Sequence, residues 1–166
     1  MDPLRRVYPF LSDEYEQFIG CPLAFIPAPD SEGKPDYGGI SYAEHFLDPF
    51  LDALTEIGVF PEVIMNHETY QNGQFAEKID AAIEKADQVK QIIESISGRE
   101  LEDNWFPYKP LGSDGSMDEV TVTGYEKPFV HWIDRYGNSG TADIRKAEGK
   151  LPWRIDWAAR WGIHGI

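Results

Sequence analysis

The residues best suited to chemistry lie close together near the C-terminus, in Gly149-Lys150-Leu151-Pro152-Trp153-Arg154-Ile155-Asp156-Trp157-Ala158-Ala159-Arg160-Trp161. An aromatic plane such as Trp153 can pack along an aliphatic stem and meet an ammonium group through a cation–π contact worth about 0.5–2 kcal/mol. Asp156 can attract the same ammonium, and Arg154 can orient a carboxylate or a phosphate. Each residue also has a plainer role. Trp153, Trp157 and Trp161 are spaced four apart and share one helical stripe, which for Trp157 and Trp161 predicts simple packing. Asp156 and Arg154 can equally pair with each other or with Arg160. Trp153 directly follows Pro152, which places it at a helix start and favours the binding role there.

A second group is Glu68, Tyr70 and Glu77, which can shape a crevice or cap a helix with acids at the positive end of its dipole. The four histidines, His45, His67, His131 and His164, lack the close pair spacing of metal-binding helices, so ligand roles are not assigned to them. His67 follows an expected strand end, where open parallel sheets bind ligands, but packing is the expected job.

These side chains need elements to hold them. Ser12 with Asp13 and Glu14 predicts a short capped helix up to Gly20, and the Pro- and Gly-rich stretch 21–40 predicts a loop. Ser41 and Glu44 form a capping box ahead of Ala43, Phe46, Leu47, Phe50, Leu51, Leu54 and Ile57, an amphipathic helix with Pro49 inside it. The apolar run Glu62-Val63-Ile64-Met65 predicts a buried parallel strand. Apolar residues from Phe75 to Ile96 keep helical phase, predicting one helix of about six turns that Gly98 ends. Residues 119–125 and 129–134 alternate as strands around Lys127-Pro128, with 141–144 as a third strand of an antiparallel meander.

The chain has 166 residues, 42% of them hydrophobic, enough for one sizeable core. A formal charge of −14 sets its surface against polyanions and argues against a nucleic-acid-binding module. One cysteine, Cys21, excludes a disulfide framework and a thiolate zinc cluster within the chain. There is no signal-peptide run and no apolar stretch of the roughly 20 residues that a membrane span needs, so a soluble cytoplasmic protein is expected.

The tryptophan-rich run resembles the G-K-L-P-W-R-x-D-W-x-x-R-W segment of class I lysyl-tRNA synthetases, and more distantly the P-G-W-H-x-E segment of cysteinyl-tRNA synthetases. Met1-Asp2-Pro3-Leu4-Arg5-Arg6-Val7 is similar to the lysyl family's D-D-M-D-x-L-R-K-V, and Ser41-Tyr42-Ala43-Glu44-His45-Phe46 to its S-Y-A-E-H-F. Glu68 to Ile79 is similar to E-M-Y-K-S-G-x-Y-x-E-x-I with departures at Thr69, Gln71 and Asn72, Asn104-Trp105-Phe106-Pro107 to D-W-Y-P, and Asp143-Ile144-Arg145 to D-I-R. These matches are collinear along the chain.

The resemblance implies an α/β fold: residues 1–100 as part of a Rossmann-like catalytic domain with long helices and one parallel strand, 101–148 as an inserted β-rich connective element, and 149–166 as the return to the catalytic fold. It implies a lysine–tRNA ligase that uses lysine, ATP with Mg and tRNA-Lys, with Trp153, Asp156, Arg154, Glu68 and Tyr70 on the substrate side. The family's HIGH-like and KMSKS-like signatures belong before Met1 and after Ile166, so this central fragment is expected to be inactive alone and to bind tRNA weakly. Family cysteine pairs near 110–115 and 135–140 hold zinc; no cysteine stands there here, so no zinc is expected. The competing expectation is a non-enzymatic acidic interaction or amino-acid-binding domain, and exposed apolar surface would favour a homo-oligomer in either case.

Overall fold

The computed structural model describes residues 1–165; Ile166, the last residue of the expected return segment, lies outside the described residues. Runs of helices and runs of antiparallel strands are divided between two compact units, the first comprising Met1–Met65 with Gly115–Asp118 and the second Asn66–Asp114 with Glu119–Ile166.

In the first unit the apolar residues of the N-terminal segment collect around Leu4, Leu11, Tyr15, Cys21, Ile26 and Tyr42. Asp13–Phe18 is a 3-10 helix without a side-chain cap from Ser12. Its buried Tyr15 donates its hydroxyl to Pro27 O at 2.9 Å, and burial, followed by neighbouring Tyr42, pushes that hydroxyl up to about 12. The stretch expected as a loop contains a hairpin, β1 (Pro27–Pro29) antiparallel to β2 (Pro35–Ser41). Its turn is built on Asp30, whose Oδ1 accepts the N–H groups of Glu32 and Lys34 at 2.8 Å, while Gly33 takes φ +77°. Asp side chains stabilise turns in this way, and only glycine adopts that φ without strain.

Helix α1 (Tyr42–Glu56) begins at the expected capping box, with Ser41 and Glu44 satisfying each other's backbone N–H groups. Only Tyr42 of this helix is buried; Phe46, Phe50 and Ile57 are exposed. Residues 62–65 form no strand, and Val63 and Ile64 are exposed. A parallel strand needs a hydrogen-bonded neighbour, and every sheet among the described residues is antiparallel.

The second unit opens with α2 (Asn66–Gln71), then α3 (Ala76–Glu84) and α4 (Ala86–Ser97). The single long helix expected here is broken at Lys85, whose φ −111° and ψ 24° leave the helical region; the C-cap beyond α4 is Gly98 in the left-handed conformation. Helix α3 buries Ile79 and Ala82, whereas α4 buries nothing and leaves Ile92 and Ile96 exposed. Strand β3 (Lys109–Pro110) precedes the expected meander, β4 (Thr121–Glu126), β5 (Phe129–Ile133) and β6 (Ser139–Asp143), in that order across the sheet. Along β5, Val130 and Trp132 are buried while Phe129 and Ile133 are exposed, the alternation of a sheet with one covered face. Gly140 lies under the Trp132 ring, where any side chain would collide. Asp80 of α3 ties the meander down by accepting the Tyr125 hydroxyl at 2.6 Å and ion-pairing with Lys127. Strand β7 (Gly149–Lys150) pairs with β3 and leads into α5 (Trp153–His164). No helix is long and apolar enough to cross a membrane among the described residues.

Candidate functional site

The site is built on the turn between β7 and α5. Gly149 has to be small: a side chain there would come within 2.6 Å of the Tyr108 hydroxyl and would strike Lys109 O. Leu151 is fully buried and anchors the turn, and its N–H donates to the Tyr70 hydroxyl at 3.1 Å. Pro152 occupies the N-cap, its carbonyl accepting from Ile155 and Asp156 N–H at 2.9 Å, so that Trp153 is the first residue of α5, as the proline predicts.

Asp156 points inward from the first turn of α5 and is 1% exposed. Its Oδ1 accepts the Tyr70 hydroxyl at 2.6 Å, and its Oδ2 is ion-paired with Arg160 one turn further on. At this depth a carboxylate needs such partners to offset the cost of its desolvation. Burial, followed by the charge of Asp156, drives the Tyr70 hydroxyl far above its ordinary value, so it remains a protonated donor. The Tyr70 ring is held by stacking on Phe75 at 3.9 Å between centroids.

Of the five residues expected on the substrate side, the fold brings Tyr70 and Asp156 into contact. Trp153 is 63% exposed and stacks on Trp157 at 6.2 Å. Trp157 and Trp161 do not pack away as expected: they are 47% and 52% exposed. Asp156 and Ala159 occupy the buried face of α5, and the tryptophan stripe lies roughly a third of a turn round the helix from it. Arg154 is exposed and lines an apolar groove of about 510 Å³ with Ile92, Ile93, Ile96, Ile155 and Ala158. Glu68 is exposed in the first turn of α2. Neither Arg154 nor Glu68 is hydrogen-bonded to the other three.

Arg160 is the partner that the sequence offers Asp156 on equal terms with a substrate, and the structure makes that pair, with the Asp156 side chain buried rather than on the helix surface. Its spacing of four from Asp156 is the signal that finds it, since such pairs face each other on a helix. The guanidinium also lies over the Trp157 ring at 6.0 Å.

Among the described residues, no group of three or more His, Cys, Asp or Glu is placed to hold a metal ion. At 113–114 and 134–138, near the family's zinc pairs, the donors are engaged with one another. Asp134 accepts the Ser113 hydroxyl and the N–H groups of Tyr136 and Asn138 at 3.0 and 2.9 Å, and Arg135 pairs with Asp114 at 2.9 Å. A cationic arginine and hydroxyl and amide groups do not fit a tetrahedral zinc site.

The family described as tRNA synthetases class I (K) matches the chain over residues 1–166. The lysine–tRNA ligase of Thermoplasma volcanium is 41% identical over 162 residues, covering 97% of this chain and 31% of its own length. That of Archaeoglobus fulgidus is 41% identical over 166 residues, covering 99% of the chain and 32% of the relative. Lysine–tRNA ligase 1 of Methanosarcina acetivorans is 38% identical over 168 residues, covering 99% and 30%. The chain therefore spans about a third of the length of the curated relatives it matches, 31% for the first of them.

Proposed function

Since the chain belongs to the class I tRNA synthetases of the K type, we propose that it is the central portion of a lysine–tRNA ligase, contributing one wall of the lysine site and the connective insert. In the complete enzyme lysine reacts with ATP to give an enzyme-bound lysyl-adenylate, and the lysyl group passes to the terminal ribose of tRNA-Lys. That chemistry is mainly positioning and phosphate charge stabilisation. Residues 1–100 and 149–166 belong in this reading to a Rossmann-like catalytic domain, and 101–148, with the meander, to the insert.

The observation that carries the reading is the match over residues 1–166, which includes the 149–161 segment where Trp153 stands exposed at a helix start. Trp153 lies along the aliphatic stem of lysine and meets its ammonium. Arg154 and Glu68, exposed, act at the rim, while Tyr70 and Asp156, buried, support the wall from behind. The apolar faces left uncovered on α1, α4 and α5 support the view that further structure, or a second copy, covers them.

These 166 residues include neither ATP-handling signature and carry a charge of −14. Alone they catalyse no lysine-dependent ATP–pyrophosphate exchange and bind tRNA-Lys weakly. Exchange above background, or tight tRNA-Lys binding, by the chain alone would contradict this. The three exposed tryptophans of α5 support a second reading, a non-enzymatic amino-acid-binding or interaction domain. Binding of an unrelated protein through that helix, with no binding of lysine, would favour it.

A further inference from the structure

We propose that Tyr70, Asp156 and Arg160 are positioning residues for Trp153, locking the first turn of α5 so that the Trp153 ring is presented in one direction. The proposal rests on the reading of Trp153 as a wall of an amino-acid site, but its test does not depend on lysine binding.

The Tyr70 hydroxyl makes two bonds, accepting from Leu151 N at 3.1 Å and donating to Asp156 Oδ1 at 2.6 Å. Leu151 and Asp156 bracket Pro152 and Trp153, so a single oxygen ties down both sides of the residue it presents. The oxygen itself is fixed, because the Tyr70 ring is fully buried and stacked within 5° of parallel on Phe75. The second Asp156 oxygen engages Arg160, which lies over Trp157, the ring on which Trp153 stacks. The contacts thus run from Tyr70 through Asp156, Arg160 and Trp157 to Trp153, and return through the backbone at Leu151. With both oxygens engaged and 1% exposure, Asp156 has no face open to a substrate ammonium. Its influence on a ligand passes through Trp153.

Two stacked indoles give an exciton-coupled band in far-ultraviolet circular dichroism, and Trp153→Phe identifies the part due to the Trp153–Trp157 stack by removing it. Tyr70→Phe deletes only the hydroxyl. Asp156→Asn keeps size and a carbonyl oxygen for Tyr70 but abolishes the ion pair with Arg160. In both variants, measured well below their melting temperatures, the band should fall to less than half while the helical signal persists. A band of full size in both would overturn the proposal, since a merely structural role lowers the melting temperature without reorienting the indole in the folded state. If Tyr70→Phe does not fold, the band of Asp156→Asn decides by the same criterion. A parent chain that shows the band but binds no lysine would refute the substrate reading and leave the positioning result standing.

Discussion

The Tyr70 hydroxyl and Asp156 Oδ1 meet at 2.6 Å, joining α2 to the start of α5 across 86 positions of sequence. Removing the hydroxyl strands two buried groups, the Asp156 oxygen and the Leu151 N–H. Tyr70→Phe should therefore lower unfolding free energy by about 1–3 kcal/mol in chemical denaturation. Arg160→Met should cost more, about 3–5 kcal/mol, because it leaves a buried carboxylate without its counter-ion.

Asp134 joins residues 113–114 to 134–138 by a different logic. Hydrogen bonds from the Ser113 hydroxyl, and after it from Asn138, hold its carboxyl at about 2, below the ordinary carboxylate value. The folded value is depressed, so the stabilisation is fully present above about pH 4 and is lost as pH falls towards about 2. Asp134→Asn should lower the melting temperature at neutral pH, with the difference from the parent shrinking on acid titration over that window.

A chelator should leave that melting temperature unchanged, because Asp134, Ser113, Asn138 and the Arg135–Asp114 pair tie these loops together without a metal. A chelator-dependent fall, restored by zinc, would contradict this.

Gly149→Ala places a methyl against the Tyr108 hydroxyl and Lys109 O. Backbone on one side and a fully buried ring on the other leave little room to relax. A loss of about 1–3 kcal/mol is expected, measured by thermal or chemical unfolding.

Local rules made some of this structure legible in the sequence. Ser41 and Glu44 announce α1 because both halves of the capping box lie within four residues. The meander follows from alternation at Val130 and Trp132, and the start of α5 from Pro152. The β1–β2 hairpin was hidden by its prolines, though Pro29-Asp30 with Gly33 carries a turn signal. The break at Lys85 carries neither Gly nor Pro, and the apolar phase runs on across it. Residues 62–65 have strand composition but no strand beside them in the described structure. The tryptophan stripe shows the limit of periodicity: spacing places three rings on one face of α5, yet nothing in it says that Asp156 and Ala159 take the buried face instead. Tyr70 and Asp156 were each singled out from sequence, but their contact depends on the path of the chain between them.

The central claim, that this chain carries a wall of a lysine site, is tested most directly by calorimetric titration of L-lysine into the parent chain and into Trp153→Ala. The account predicts saturable binding by the parent that the variant loses, with both chains folded. No heat of binding to the folded parent, or equal binding by both, would contradict it.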